Sequence, residues 1–245
     1  ADPSITGVNS GAALGAVATA MFIGSETSSV DQLPGALLGA GIAVGVTVGV
    51  GKSGAIQRLV LVGVAVSALC SALTSIFLVI DEAQLATVMS WLSGRLAGVR
   101  LDDIIPALIA VLVVVPLTLV GAKTLDLLVA GDAVAGAVGA KPERTRLAAI
   151  VAAVVLIAPA VAATGPIGFL GLMAAAVAWR VCGPHHRMGL CVAGVVGAAV
   201  LLVADSVGQT IWAPAETPVG IVTSLAGMPL VLWSVHALGR RKHVA

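Results

Sequence analysis

The spacing of charge along this chain limits what it can fold into more than any other feature. The 13 Lys and Arg and the 12 Asp and Glu fall in short clusters. Between them lie uncharged, mostly apolar runs: Gln32 to Gly51, Leu59 to Ile80, Ile104 to Ala122, Leu147 to Trp179 and Thr217 to Gly239. Each is long enough to cross a bilayer, which takes roughly 20 apolar residues as helix. A Lys, Arg or Asp at the centre of such a helix costs about 2.5 to 3.5 kcal/mol on the insertion scale, so the charges mark which segments sit in lipid. The expected fold class is all-α, a polytopic membrane helix bundle.

Composition excludes a single soluble domain. Of 245 residues, 59% are hydrophobic and 10% charged, more apolar surface than a water-soluble domain of this size can hide. A formal net charge of +1 offers no electrostatic case for nucleic acid as a partner. Membrane lipid is the expected surrounding. The cysteines Cys70, Cys182 and Cys191 are odd in number and show no metal-ligand spacing, so they read as small apolar filler.

Glycine, proline and charge divide the sequence into about eight membrane helices, near 9–24, 34–51, 57–80, 102–122, 145–163, 167–181, 188–212 and 217–238. Alternating them places every Lys and Arg except Arg95 and Arg100 on one side, which the positive-inside bias makes cytoplasmic. Leu147 to Trp179 is too long for one upright span and too short for two full ones with a loop. Thr164-Gly165-Pro166 divides it into a full helix and a shorter returning one. Broken helices in transporters often border the substrate route, and an ordinary interfacial turn is the equally open reading. Gly11 and Gly15, then Gly41, Gly45 and Gly49, recur at the spacing of close helix contacts.

Gly49-Val50-Gly51-Lys52-Ser53 mimics the end of a phosphate-binding loop, but the full motif needs glycine where Val46 stands, and a membrane-length apolar run precedes it. It is rejected. The stretch from Lys123 to Arg146 is the longest charged segment between spans; its apolar, glycine-punctuated centre, Leu127 to Ala140, suits one or two short surface helices. On the helix after Gln57, Ser67, Ser71 and Thr74 stand at i, i+4 and i+7 and share one face. That face fits a weakly polar translocation path, while hydroxyls bonding back to their own helix are the commoner use.

Segments in order along the chain carry a resemblance. They are Ala1-Asp2-Pro3 with Gly7-Val8-Asn9-Ser10-Gly11-Ala12, then Gly131-Asp132, Gly165-Pro166-Ile167-Gly168-Phe169-Leu170-Gly171-Leu172, Gly183-Pro184-His185-His186-Arg187, Ala204-Asp205, and Pro214 to Thr223. Together they resemble the FecCD-like transmembrane permeases of ATP-driven (ABC) importers for iron-siderophore complexes, haem and vitamin B12. The resemblance implies one permease domain over residues 1–245 of a normally ten-span fold, amino-terminally incomplete and beginning just before the third span, with a cytoplasmic coupling loop at 124–146. It implies a multi-pass protein of the bacterial cytoplasmic (inner) membrane with its carboxyl terminus inside. The implied partners are cytoplasmic ATP-binding subunits, a second permease copy or paralogue, and an extracytoplasmic substrate-binding protein. ATP and magnesium belong to the partner ATPase; no cofactor, metal or catalytic residue is expected on this chain.

Residue by residue, Gly131, Asp132, Ala133, Gly136 and Gly139 resemble the coupling helix that fits a cleft of the ATPase, with Asp132 in place of a common acidic residue. Gln57 falls where the family's inner gate lies, or simply starts a helix. Gly165, Pro166, Gly168 and Gly171 match the broken-helix stretch. Two departures stand out. Ala175 and Ala176 replace a usual Pro-His pair, and Gln209 replaces an arginine that docks the binding protein; Arg95 and Arg100 on the outer side offer that charge instead, with an ordinary interfacial anchor as the plainer reading of both. Asp205 falls near the outer end of its helix, which suits a structural role better than a proton relay. The other open readings are an ion-gradient-driven secondary transporter and an inactive truncated scaffold.

Overall fold

In the computed structural model the described residues are 7–23, 29–51, 56–80, 85–129, 131–139, 141–211 and 217–229. They form helices α1 (Val8–Ile23), α2 (Ser29–Gly51), α3 (Ile56–Ile80), α4 (Leu85–Leu92), α5 (Leu101–Val129), α6 (Asp132–Ala137), α7 (Pro142–Thr164), α8 (Leu170–Cys182) and α9 (His186–Ile211), followed by α10 (Val219–Pro229). Five of these are long and apolar enough to cross a membrane: α2, α3, α5, α7 and α9; α1, α8 and α10 are shorter apolar helices.

Three boundaries differ from the sequence reading. α2, expected from 34, starts at Ser29 and carries Pro34 within it. The segment 81–101, expected as an outer loop, contains α4; Leu85-Ala86-Thr87-Val88-Met89-Ser90-Trp91-Leu92 is apolar but too short for a span, and it buries Trp91 and Leu92 against the core. The helix expected at 102–122 runs on to Val129. A lysine such as Lys123 ends an apolar run without ending a helix, because its long stem lets the charge reach water from the helix surface.

The tightest packing joins α1 to α2. Gly11 lies against Gly39 and Ala43, and Gly15 against Gly35 and Gly39, so the two helices run antiparallel at backbone contact. Ala12, Ala16, Ala36 and Ala40 are fully buried there, and Ala158, Val161 and Ala162 of α7 close the same cluster. Small residues are what such an approach needs, since lipid supplies no hydrophobic drive between helices and contact itself must hold them. Within this chain Gly41, Gly45 and Gly49 face open space, and the close contact with α1 is made instead by Gly35 and Gly39, which the sequence reading did not single out. Spacing of four marks a face without saying which of two such faces is covered.

Hydroxyls buried in the bundle are satisfied locally. Thr47 donates to the Ala43 carbonyl at 2.8 Å, Thr74 to Cys70 at 2.9 Å and Thr223 to Gly220 at 3.1 Å. Among the described residues no buried side-chain nitrogen or oxygen lacks a partner. An unpaired polar group in a water-free bundle costs several kcal/mol, on the order of a whole helix cap or more.

Candidate functional site: the α5–α6–α7 connection and the glycine junction

At one end of the bundle α5, α6 and α7 form a bent connection. Gly131 has φ 109° and ψ 153°, a backbone region open essentially to glycine alone, and it turns the chain out of α5. Its carbonyl accepts from the Ala135 N–H at 3.0 Å, opening α6. The Gly139 N–H then bonds the Gly136 carbonyl at 3.0 Å, and a positive φ of 83° at Gly139 stops the helix. Pro142 restarts the chain at the first turn of α7, where a missing N–H costs nothing. On this short element Ala135 is fully buried, whereas Val134 and Val138, four residues apart, are 49% and 67% exposed. Among the described side chains Ala135 seats α6 on α5 and α7, and the apolar Val134 and Val138 beside it are uncovered in this chain. The side chains of Asp132 and Ala133 lie outside the described residues.

The turn between α8 and α9 sits at this same end. Asp126, in the last turn of α5, accepts the backbone N–H of His186 at 2.8 Å, and Nδ1 of His186 lies 2.6 Å from the same carboxylate oxygen. His186 is the first residue of α9, so its N–H is one of those a helix leaves without an internal partner, and a carboxylate there also meets the positive end of the helix dipole. The sequence reading missed this pair. Its only signals were a lone acid beyond the apolar part of α5 and a His-His after Gly183-Pro184.

At the opposite end three connections meet backbone to backbone. α7 stops at Thr164, and Gly165 has φ 76°. A Cβ on Gly165 would strike the Trp91 carbonyl oxygen, one on Gly94 would stand 3.1 Å from the Pro166 carbonyl oxygen, and one on Gly220 would strike the Ser93 carbonyl oxygen. Arg95 N–H donates to the Thr164 carbonyl at 2.9 Å, and Gly220 N–H to the Gly94 carbonyl at 3.4 Å. The end of α4, the α7–α8 break and the start of α10 thus form one junction. Phe169, with φ 63°, caps α8 and lies against Gly227, where a Cβ would stand 2.6 Å from its own. Gly165, Pro166 and Gly168 belong to the break; Gly171 lies on α8 and is exposed.

The remaining expected site residues are dispersed. Arg95 and Arg100 are exposed at the junction end; the Arg95 guanidinium donates to Ser90 at 3.1 Å. Arg100 precedes α5, its N–H held at 3.1 Å by the Asp103 carboxylate as in a capping box. Gln209 donates to Asp205 at 2.8 Å along α9. On α3, Thr74 is buried, Ser67 half-buried and Ser71 exposed, with Ser75 donating to the Ser71 carbonyl at 3.0 Å. Gln57 is in the first turn of α3 and its side chain lies outside the described residues. Ala175 and Ala176 sit mid-helix in α8, which runs unbroken.

Long apolar helices, small-residue contacts and the break between α7 and α8 define a multi-pass membrane protein of the helical permease type. The chain belongs to the FecCD transport family, whose model matches residues 1–237. The cobalamin import system permease protein of Halobacterium salinarum is 38% identical over 236 residues, covering 95% of this chain and 63% of that protein. The iron(3+)-hydroxamate import system permease protein of Bacillus subtilis is 34% identical over 245 residues, covering 95% and 72%. The hemin transport system permease protein of Yersinia pestis is 34% identical over 242 residues, covering 96% and 72%. This chain therefore spans from under two thirds to under three quarters of the length of these relatives. A solved chain described as a metal-chelate type ABC transporter in an inward-facing conformation superposes with a TM-score of 0.84 at 28% identity, covering 96% of this chain and 77% of that one.

Proposed function

We propose that this chain is the membrane-spanning part of an ATP-driven importer that admits a metal chelate or a comparably large cofactor by alternating access. The relatives named above are permeases for cobalamin, ferric hydroxamate and haemin, and shared family membership carries the class of cargo over. ATP is hydrolysed on a separate subunit, and α6 is the element that subunit grips. The observation that carries this is the shape of α6, a short helix seated by Ala135, bounded by Gly131 and Gly139, and presenting Val134 and Val138 outward. Closure of an ATPase pair moves spans only through a rigid element held on both sides.

On this reading the end bearing Lys123, Lys141, Arg144, Arg146, Arg180 and Arg187 is cytoplasmic, and the junction end faces outward. Arg95, Arg100 and Gln209 are then placed for a substrate-binding protein, and a second permease copy or paralogue completes the path. Gln57, Ser67, Ser71 and Thr74 border that path. The test is reconstitution with the neighbouring ATPase and binding protein in vesicles, following ferric hydroxamate, ferric citrate, haemin and cobalamin. ATP-dependent accumulation of one of them supports the reading. Uptake that an ionophore abolishes and ATP depletion leaves intact refutes it in favour of a gradient-driven transporter.

A further inference from the structure

We propose that Asp126 and His186 form the joint that carries movement of the coupling segment into the α8–α9 half of the bundle. The inference rests on the importer reading above. α6 packs on α5 and α7, while α8 packs on α9 and α9 on α5. A displacement of α6 therefore reaches the α8–α9 pair through α5. The two residues that bridge α5 to the first turn of α9 are sixty apart in sequence.

The chemistry suits a joint that resists shear. One carboxylate oxygen takes two donors from one residue, the His186 N–H at 2.8 Å and the ring Nδ1 at 2.6 Å. The two contacts differ in direction, so sliding or rotating α9 against α5 breaks at least one. Charge-assisted bonds are roughly twice as strong as neutral ones; both side chains are about a third exposed, so the paired geometry, and not exclusion of water, is what holds α9 to α5. Asp126 stands five residues before Gly131, where the chain bends into α6. A load on α6 thus enters α5 at the turn that holds α9. Asp126 and His186 are positioning residues on this account; neither touches cargo or nucleotide.

The experiment uses the complete protein assembled with its ATPase and binding protein in vesicles. It measures ATP hydrolysis together with uptake of whichever of the four chelates the unaltered protein carries. Asp126→Ala removes both contacts and is expected to lower uptake per ATP hydrolysed by about tenfold, the range of a typical coupling energy between sites. ATPase co-purification is retained. Asp126→Asn keeps an oxygen acceptor for the helix N–H and is expected to restore most of that ratio.

An unchanged ratio in Asp126→Ala overturns the joint. So does Asp126→Asn as impaired as Asp126→Ala, or uptake and hydrolysis falling in proportion, which is what a general packing defect gives. If Asp126→Ala does not assemble, His186→Ala decides: the ratio must fall by at least about threefold, and an unchanged ratio overturns the joint. Failure of the unaltered protein to bind an ATPase appears before any substitution is made, and it removes the importer reading and the joint together.

Discussion

Gly165 shows how far a single backbone position is committed. Its φ of 76° and the Trp91 carbonyl against its α-carbon leave no room for a methyl group. Gly165→Ala is expected to cost at least about 1 to 3 kcal/mol, read as a lower unfolding temperature in detergent. Gly98 has a similar φ of 84° but open space around it, so Gly98→Ala should cost only about 1 kcal/mol, the left-handed penalty alone. Equal losses in the two variants would mean that the junction is not the source. Gly165 was legible in sequence because Pro166 follows it and breaks the helix. Gly94 and Gly220 were not, because what makes them glycine is each other's neighbourhood more than a hundred residues away. The Asp126–His186 pair was hidden for the same reason.

Helices were easier to read than the faces they use. The apolar runs located α2, α3, α7 and α9 closely, since hydrocarbon thickness sets a length that the sequence must meet. The side of α2 that meets α1 was missed, because Gly35 and Gly39 lie on one stripe and the more regular Gly41, Gly45 and Gly49 on another, which is open within this chain. Gly39→Ala is therefore expected to push α1 and α2 apart and lower thermal stability. Gly45→Ala should leave stability unchanged or raise it by about 0.5 to 1 kcal/mol through helix propensity; the reverse ranking would refute the assigned contact. At the bend into α6, proposed above as the ATPase grip, Gly131→Ala forces a side chain into a backbone region reserved for glycine, at about 1 to 3 kcal/mol. The expected result is an intact protein that binds the ATPase weakly and accumulates little chelate. Full ATPase binding would count against Gly131 as the bend that presents α6.

Seen as a whole, the bundle has two unlike ends. Lys123, Arg144, Arg180 and Arg187 collect at the end with α6 and the Asp126–His186 pair, and Arg95 and Arg100 at the end with the glycine junction. A membrane-impermeant maleimide is expected to label a cysteine at Val138 only in inverted vesicles and one at Arg95 only in intact cells, after Cys70, Cys182 and Cys191 are replaced by serine. The opposite pattern would reverse the orientation and end the coupling role of α6. The sequence alone determined that this chain lives in lipid, roughly where its long apolar helices lie, and, through motifs met in order, its family. Those properties depend on local composition, on transfer of each segment from water to hydrocarbon, and on residues that are neighbours in the chain. Only the tertiary structure decided which glycines touch, that α5 outlasts its apolar core, that α4 is a helix packed beside the broken one, and that Asp126 caps α9. Each of those is a contact between distant segments, and the energy of a contact belongs to the pair and is written in neither partner's sequence alone.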